Sequence, residues 1–199
     1  MRLVYFSLGL LVGLVILPLY MKMERKRWKK KCDNERLHFE YRINHDSLTG
    51  IYNRDFFESS CKRLNEIENT SVAIIVCDLD ELKTMNDTYG HKQGDALIKN
   101  AAWVLQEFSS EDVTVARLGG DEFVFLVIGK TKGEAKHLVS QIINRVDEYN
   151  ANSSNVEMKL SIGFAFSPKS VGQMKRVFAQ ADKNMYANKN ERKLVTCAE

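Results

Sequence analysis

The sequence lacks the patterns that define several large protein classes. Its cysteines have neither Cys-x-x-Cys spacing nor the arrangement of a disulfide framework, and they are Cys32, Cys61, Cys77 and Cys197. There is no His and Cys cluster of the kind that binds zinc, and no G-x-x-x-x-G-K-[ST] loop for P-loop nucleotide hydrolysis. Low-complexity tracts and internal repeats are also missing. These absences exclude a disulfide-stapled or zinc-stabilised fold and favour a reduced, cytosolic globular domain.

Positive charge is scarce in most of the chain, although the net charge is +3. Residues 1–45 carry ten Lys and Arg against four Asp and Glu, whereas residues 46–199 carry nineteen against twenty-two. The basic excess therefore belongs to the front of the chain and is no argument for a domain that binds nucleic acid. The mildly acidic remainder suits a protein that gathers metal ions.

A long apolar run opens the chain. Residues 3–20 contain no charged residue across 18 positions, and seven Lys or Arg follow between residues 22 and 31. About 20 apolar residues cross a bilayer, and the positive-inside rule places the side after the run in the cytoplasm. A cleaved signal peptide fits poorly, because the positive charge follows the run and no A-x-A-like site is present. We expect a single-pass inner-membrane anchor in contact with lipid over residues 1–21.

A basic helical linker is expected over residues 22–45. Its sparse apolar stripe has spacings of 4, 7 and 4 residues and consists of Trp28, Cys32, Phe39 and Ile43. The stripe fits a short two-stranded coiled coil that continues the membrane helix. It fits equally well a solvated basic helix lying near anionic lipid. The sequence leaves both interpretations open.

The rest of the chain alternates between helical and strand patterns of hydrophobicity. Helices are predicted over residues 54–68, 95–108, 133–149 and 171–189. Strands are predicted for "SVAIIVCDLD" and "VEMKLSIGFAF", and a hairpin for "VTVARLGGDEFVFLVI". A hairpin embedded among β–α units predicts an α+β fold with helices packed on a sheet.

Two acidic clusters fall at the ends of predicted strands. Asp78 ends the first strand, with Asp80 on the same face, and Asp121 and Glu122 lie in the hairpin turn. If these strands are neighbours, the carboxylates converge at one edge of the sheet. Oxygen-only ligands of this kind suit Mg²⁺, which also draws ligands from bound phosphates.

Four separated motifs carry a resemblance to a known family. They are "DSLTGIYNR" (46–54), "DLDELKTMNDTYGHKQGD" (78–95), "RLGGDEF" (117–123), and "SIG" (161–163) with "ADKNMY" (181–186). Over residues 46 to about 193 the chain resembles the GGDEF family of diguanylate cyclases, which join two GTP molecules into cyclic di-GMP. A lone G-G-D-E-F would be a weak signal, but four motifs in order are a specific one.

The resemblance implies a palm-like GGDEF catalytic domain over residues 46–199, with a central, mostly antiparallel sheet flanked by helices. It also implies a membrane-anchored diguanylate cyclase that releases pyrophosphate and uses two Mg²⁺ ions, with Mn²⁺ as an alternative. Each half-site of such an enzyme holds one GTP, so a homodimer is needed for catalysis.

Site residues can be carried over wherever the motifs match. The implied metal ligands are Asp78, the Leu79 carbonyl, Asp121 and Glu122. The implied catalytic residues are Asp121, Glu122, Lys83 and Lys183, with the two lysines on the triphosphate. The implied substrate-binding residues are Asn86 and Asp95 on the guanine edge, His91 in the same stretch, and Gly119 and Gly120 beside the phosphates.

Alternatives remain for both the mechanism and the function. Asp121 either accepts the proton of the attacking hydroxyl or only binds metal. The chain is either an enzyme or a catalytically silent GGDEF domain that binds GTP or cyclic di-GMP and signals by contact. The presence of Asp78, Asp121 and Glu122 favours the enzyme. Asp95 favours GTP over ATP, because its carboxylate can accept from the N1–H and 2-amino groups that adenine lacks.

Overall fold

The structure is a computed structural model that describes residues 2–67, 69–153 and 156–196, without the side chains of residues 2–17, 37–38 and 195–196. The chain divides into two compact units, Met1–Ile43 and Asn44–Glu199.

A continuous helix, α1 (Arg2–Asn44), makes up the first unit and passes through Pro18 without ending. The helical character predicted for the linker is therefore confirmed. Ion pairs join neighbouring turns of this helix, with 2.9 Å between Glu24 and Arg27 and 2.8 Å between Arg36 and Glu40. Because these pairs are exposed to solvent, they add little to the stability of the helix.

The predicted membrane anchor is not supported by the structure. Within the described ranges, no helix has an apolar stretch long enough to cross a bilayer. The apolar run of residues 3–20 falls largely on residues 2–17, whose side chains lie outside the described part of the chain. A span over residues 1–21 thus stays a prediction from the sequence.

The described residues of the second unit form one sheet and five helices. Its strands are β1 (Val72–Leu79), β2 (Val113–Gly119), β3 (Glu122–Ile128) and β4 (Leu160–Ser167). Its helices are α2 (Arg54–Glu66), α3 (Leu82–Tyr89), α4 (His91–Gln106), α5 (Lys132–Asn152) and α6 (Met174–Thr196). The strand order is β2-β3-β1-β4 with antiparallel neighbours throughout, which confirms the α+β architecture and the antiparallel sheet.

Strand β1 is buried on both faces, which explains its continuous apolar run. Ala73, Ile75 and Cys77 pack into the cluster that contains residues of α3, α4 and α5. Ile74 and Val76 pack into the cluster that contains residues of α2 and α6. Successive side chains of a strand alternate between faces, so the face of Val76 is also the face of the next even residue, Asp78.

One predicted boundary was wrong in a way that matters for the site. The sequence suggested a turn between Gly90 and Gly94 and a helix from Asp95, but α4 already begins at His91. The short helix α3, which was not predicted, fills the stretch between β1 and α4. Its eight residues are fewer than periodicity can identify reliably, because they show little more than two turns of pattern.

Candidate functional site

The end of β1 lies against the hairpin turn between β2 and β3. Asp78 is the register partner of Glu122 across the β1–β3 ladder. The next residue, Leu79, donates its backbone N–H to the carbonyl of Asp121 at 2.9 Å. The sheet order therefore brings together the two acidic clusters that the sequence showed 43 residues apart, from Asp78 to Asp121.

The turn itself depends on its two glycines. Gly119 and Gly120 have φ values of +145° and +51°, and a side-chain carbon added to either would meet no atom within 4 Å. Glycine adopts these positive φ values without strain, which allows the tight turn. Two arginines bind its carbonyls: Arg117 donates to the Gly120 carbonyl, and Arg54 donates to the carbonyl of Leu118 at 2.8 Å.

Asp78 is a buried acid with a cation from α6 beside it. Its carboxylate is only about 10% exposed and accepts a hydrogen bond from the Lys189 ammonium group at 2.5 Å. Burial opposes the charge on Lys189, but the hydrogen bond to Asp78 and the charges of Asp78, Asp121 and Asp80 outweigh it. The pKa of the Lys189 ammonium group is therefore raised.

Asp80 lies on the same face and contacts α6 as well. Both of its carboxylate oxygens accept from the buried hydroxyl of Ser161, at 2.8 and 2.9 Å, and Arg192 lies 3.6 Å away. Burial raises the pKa of Asp80, and the Ser161 hydrogen bond and the Arg192 charge offset this only in part. The sequence pattern placed Asp78 and Asp80 on one face, and the contacts with α6 agree with that placement.

Glu122 has an environment that disfavours its charge. Burial is the main cause of its raised pKa, followed by the negative charge of Asp121, while the charge of Arg54 acts in the opposite direction. The Arg54 guanidinium lies 3.8 Å from the Glu122 carboxylate. A bound cation would offset the repulsion between the Glu122 and Asp121 carboxylates, because it would neutralise their charge.

A cavity of about 780 Å³ opens beside these acids. Its charged lining residues are Asp80, Glu81, Lys83, Asp121, Lys159, Lys189, Glu191, Arg192 and Lys193. Five of these nine side chains are cationic, and Asp121 of the hairpin turn is among the acids. Such a mixture suits an anionic ligand that arrives with a metal ion, as a nucleoside triphosphate does.

The residues predicted to read a guanine lie on α3 and α4. Gly94 is buried in α4, and a side-chain carbon added there would come within 1.9 Å of the Asn86 amide oxygen. The glycine therefore lets the Asn86 side chain of α3 lie directly against α4, one residue before Asp95. His91, at the start of α4, and Asp95 are both exposed.

The donor set fits magnesium in its chemistry. Among the described residues, no three His, Cys, Asp or Glu side chains form a group that could hold a metal ion alone. Asp78, Asp121 and Glu122 supply only carboxylate oxygens. Mg²⁺ characteristically binds through one or two carboxylates and completes its coordination shell with water and substrate phosphates. A site with only a few protein ligands is therefore sufficient for it.

The structure brings together most of the predicted site residues, although their roles remain predictions. Those at the sheet edge or in the turn are Asp78, Leu79, Gly119, Gly120, Asp121 and Glu122, and Lys83 lines the adjoining cavity. Lys183 is exposed on α6 and is not among the cavity-lining residues. Sequence reasoning missed Lys189 and Arg192. Lys189 is the last residue of the predicted helix, and Arg192 lies beyond it in the observed helix α6.

Comparison with known proteins identifies the family. The family model "Diguanylate cyclase, GGDEF domain" matches residues 43–194. Diguanylate cyclase TpbB of Pseudomonas aeruginosa is 31% identical over 174 residues, which are 84% of this chain and 40% of TpbB. The probable diguanylate cyclase DgcE of Escherichia coli K12 is 35% identical over 75% of this chain and 14% of its own length. The chain thus spans less than half the length of either relative.

A solved structure agrees with the sequence matches. The coiled coil and GGDEF domain of DgcB from Caulobacter crescentus, in complex with cyclic di-GMP, superimposes with a TM-score of 0.66 at 26% identity. The match covers 85% of this chain and 95% of that one. Because the family model matches well over half of the chain, the chain belongs to the GGDEF domain family of diguanylate cyclases.

Proposed function

We propose that this protein is an active diguanylate cyclase, which condenses two GTP molecules into cyclic di-GMP and releases pyrophosphate. One observation carries the proposal. The buried Asp78 at the end of β1 lies beside the acidic hairpin turn, next to a cavity lined by five cationic side chains. A metal-bound triphosphate needs both acids and cations at one edge, and this arrangement supplies both.

The chain's own residues have distinct parts in the proposed reaction. Lys83 and Lys189 bind and orient the triphosphate and stabilise the charge that gathers on it. Asn86 and Asp95 bind the guanine edge. The 3′-oxygen of one GTP forms a bond to the α-phosphorus of another, the bond to pyrophosphate breaks, and Asp121 accepts the proton of the hydroxyl group.

Magnesium would be held by Asp78, the Leu79 carbonyl, Asp121 and Glu122. When bound there it would supply a lower pKa for the attacking hydroxyl and neutralise charge on the phosphates. Burial and, after it, the negative charge of Asp121 raise the pKa of Glu122, and a bound cation would oppose both effects.

A homodimer is part of the proposal, because each domain has one such edge and the product needs two nucleotides. Helix α1 is a suitable place for pairing, since Trp28 and Phe39 on it are 63% and 66% exposed. The relative DgcB was solved with a coiled coil joined to its GGDEF domain. Pairing through α1 would raise the effective concentration of one domain at the other.

We also propose that residues 3–20 anchor the protein in the inner membrane, with the GGDEF domain in the cytoplasm. The 18 uncharged positions and the positive charge that follows them support this anchor. A fusion of residues 1–45 to a soluble reporter should remain in the membrane fraction at alkaline pH. Release of the fusion into the soluble fraction would contradict the anchor.

The decisive experiment for catalysis is GTP turnover by the full chain with Mg²⁺, following pyrophosphate and cyclic di-GMP together. The wild type should form both products, and Asp121→Ala should form neither above background. Asp147→Ala, which removes an exposed acid on α5, is the matched control and should keep the wild-type rate. Tight GTP binding without product would instead support the silent binding module.

Two lysine variants test which side chain contacts the triphosphate. Lys189→Ala should raise KM for GTP by about tenfold or more, because a charge-assisted contact to phosphate is lost. Lys183→Ala should raise it less, since this side chain lies outside the cavity lining. The opposite order would restore Lys183 as the phosphate ligand. Thermal unfolding of both variants controls for the buried Asp78 left unpaired by Lys189→Ala.

A further inference from the structure

The hairpin turn, Gly119–Asp121, is tied to a distant segment through Arg117. The Arg117 guanidinium donates from Nε and Nη2 to the Gly120 carbonyl, at 3.1 and 2.8 Å. Its remaining nitrogen, Nη1, donates to the carboxylate of Asp46 at 2.9 Å. Only 10% of this arginine side chain is exposed, so its planar fork is fixed between the two partners.

Asp46 is itself held rigidly at the start of the domain. Its carboxylate accepts from the backbone N–H of Thr49 at 3.0 Å and from the Thr49 hydroxyl at 2.6 Å. Its backbone N–H donates to Ile51, and its carbonyl accepts from Gly50, both at 2.8 Å. The carboxylate is therefore presented to Arg117 in one orientation.

The charge state of Asp46 also favours the contact. Burial alone would raise the pKa of this carboxyl group, but hydrogen bonds from Thr49 and Arg117 and the charge of Arg117 lower it below the ordinary value of 3.8. Asp46 is thus ionised at neutral pH and paired with the arginine.

The other side of the hairpin turn is joined to the candidate metal site. The Asp121 carbonyl accepts from the Leu79 N–H, one residue after Asp78. Rotation of the peptide between Gly120 and Asp121 would break the Arg117 contacts and would move Asp121 relative to Asp78. A side-chain carbon added to either glycine would meet no atom within 4 Å, so the space beside both is open.

We propose that Asp46 and Arg117 are positioning residues, which fix the Gly120 carbonyl and thereby hold Asp121 in its working place beside Asp78. The inference rests on the proposed cyclase function for its effect on rate. Asp46 touches neither substrate nor metal in this proposal and acts entirely through Arg117.

The test compares Asp46→Asn and Arg117→Met in the full chain, with Arg145→Met as the matched control. Arg145 forms a similar two-point pair with Glu107, at 2.8 Å, away from the turn. Asp46→Asn and Arg117→Met should each lower kcat by about tenfold or more and change KM for GTP by less than about twofold, because misplacement of a reacting group costs rate rather than binding. Arg145→Met should change neither constant.

A double variant tests whether both residues act through one contact, and hydrogen exchange tests whether they hold the turn independently of activity. Asp46→Asn should cost less than about twofold once Arg117→Met is present, since both act on the same contact. Hydrogen exchange of a peptide spanning residues 117–123 should become faster in both single variants, while β1 keeps its protection. Arg117→Lys should fall between wild type and Arg117→Met, because an ammonium group cannot bridge both partners as a fork does.

Independent, additive losses in the double variant would overturn the proposal, as would unchanged exchange in the turn. If the wild type forms no cyclic di-GMP, the proposed function fails. The exchange data would then still decide whether Asp46 and Arg117 hold the turn.

Discussion

At the scale of single residues, Glu122 shows that the site disfavours a negative charge, first through burial and then through the charge of Asp121. Its raised pKa means that the folded protein binds this proton more tightly than the unfolded chain does. Its contribution to stability is therefore greatest at pH values below the ordinary pKa of 4.5 and decreases as the pH rises through that value towards the raised one. This sign is the opposite of that for a carboxylate stabilised by a partner, such as Asp46.

Glu122→Gln should consequently stabilise the protein at pH 7 when metal is removed with EDTA. The side chain is 39% exposed, so solvent screening limits the gain to a few tenths of a kcal/mol, or a rise in Tm of about 1 °C. The difference between variant and wild type should shrink below pH 4.5. Thermal unfolding across this pH range is the measurement. A Glu122→Gln variant less stable than wild type at pH 7 would contradict this prediction, as would a stability difference that does not change with pH. Glu111→Gln, which changes an exposed acid outside the cluster, is the control.

At the scale of elements, the contact between β4 and α6 decides where Lys189 lies. A side-chain carbon added to Gly163 would come within 2.1 Å of the Ala181 carbonyl and the Met185 N–H nitrogen. Both are backbone atoms and cannot rotate away, so α6 would have to move off the sheet. Lys189 follows Met185 by one helical turn and would move with it.

Gly163→Ala should therefore destabilise the domain by about 3 kcal/mol, the cost of overpacking an interior that cannot relax. Gly133→Ala is the matched control. The nearest atom to its added carbon is the Thr131 hydroxyl oxygen at 3.9 Å, and alanine favours the helix that Gly133 occupies, so stability should rise by up to about 1 kcal/mol. Urea unfolding measures both changes. Equal stability of Gly163→Ala and wild type would show that α6 does not pack this closely against β4.

The strength of each local pattern determined how much of the fold could be predicted. The apolar run of β1 and the hairpin around Gly119 and Gly120 predicted both acidic clusters in their correct elements. The sequence could not predict that the two clusters meet, because this depends on the order of the strands in the sheet, which the local patterns do not determine. Helix α3 was missed because its pattern is short.

Lys189 was missed for a different reason, although a signal for it exists. Val177, Ala181 and Met185 form a buried stripe along α6 with a spacing of four residues, and Lys189 is its next position. A lysine in an apolar stripe indicates a charge that faces the sheet. Lys183 lies between stripe positions and is exposed, so motif resemblance alone selected the lysine on the solvent side.

At the scale of the whole molecule, the two units differ in how much of their apolar surface is buried. Asn44–Glu199 has two apolar clusters of its own, although single side chains such as Ile67 and Trp103 are exposed on it. The first unit leaves large apolar side chains on its helix in contact with solvent, including Trp28 and Phe39 of the predicted stripe. A pairing role for α1 would cover these side chains and bring two GGDEF domains together, so the proposed reaction should depend on protein concentration in a way that α1 controls.

Removing α1 should therefore slow the reaction most when the protein is dilute. At nanomolar protein, residues 44–199 should turn over GTP about tenfold more slowly per subunit than residues 22–199, and the gap should close as the concentration rises, because a tether supplies only proximity. Within residues 22–199, the double change Trp28→Lys with Phe39→Lys should reproduce the slow rate. Tyr41→Lys, which alters an exposed aromatic side chain outside the stripe, should not. Rates that stay proportional to protein concentration in every form would mean that α1 has no part in bringing the domains together.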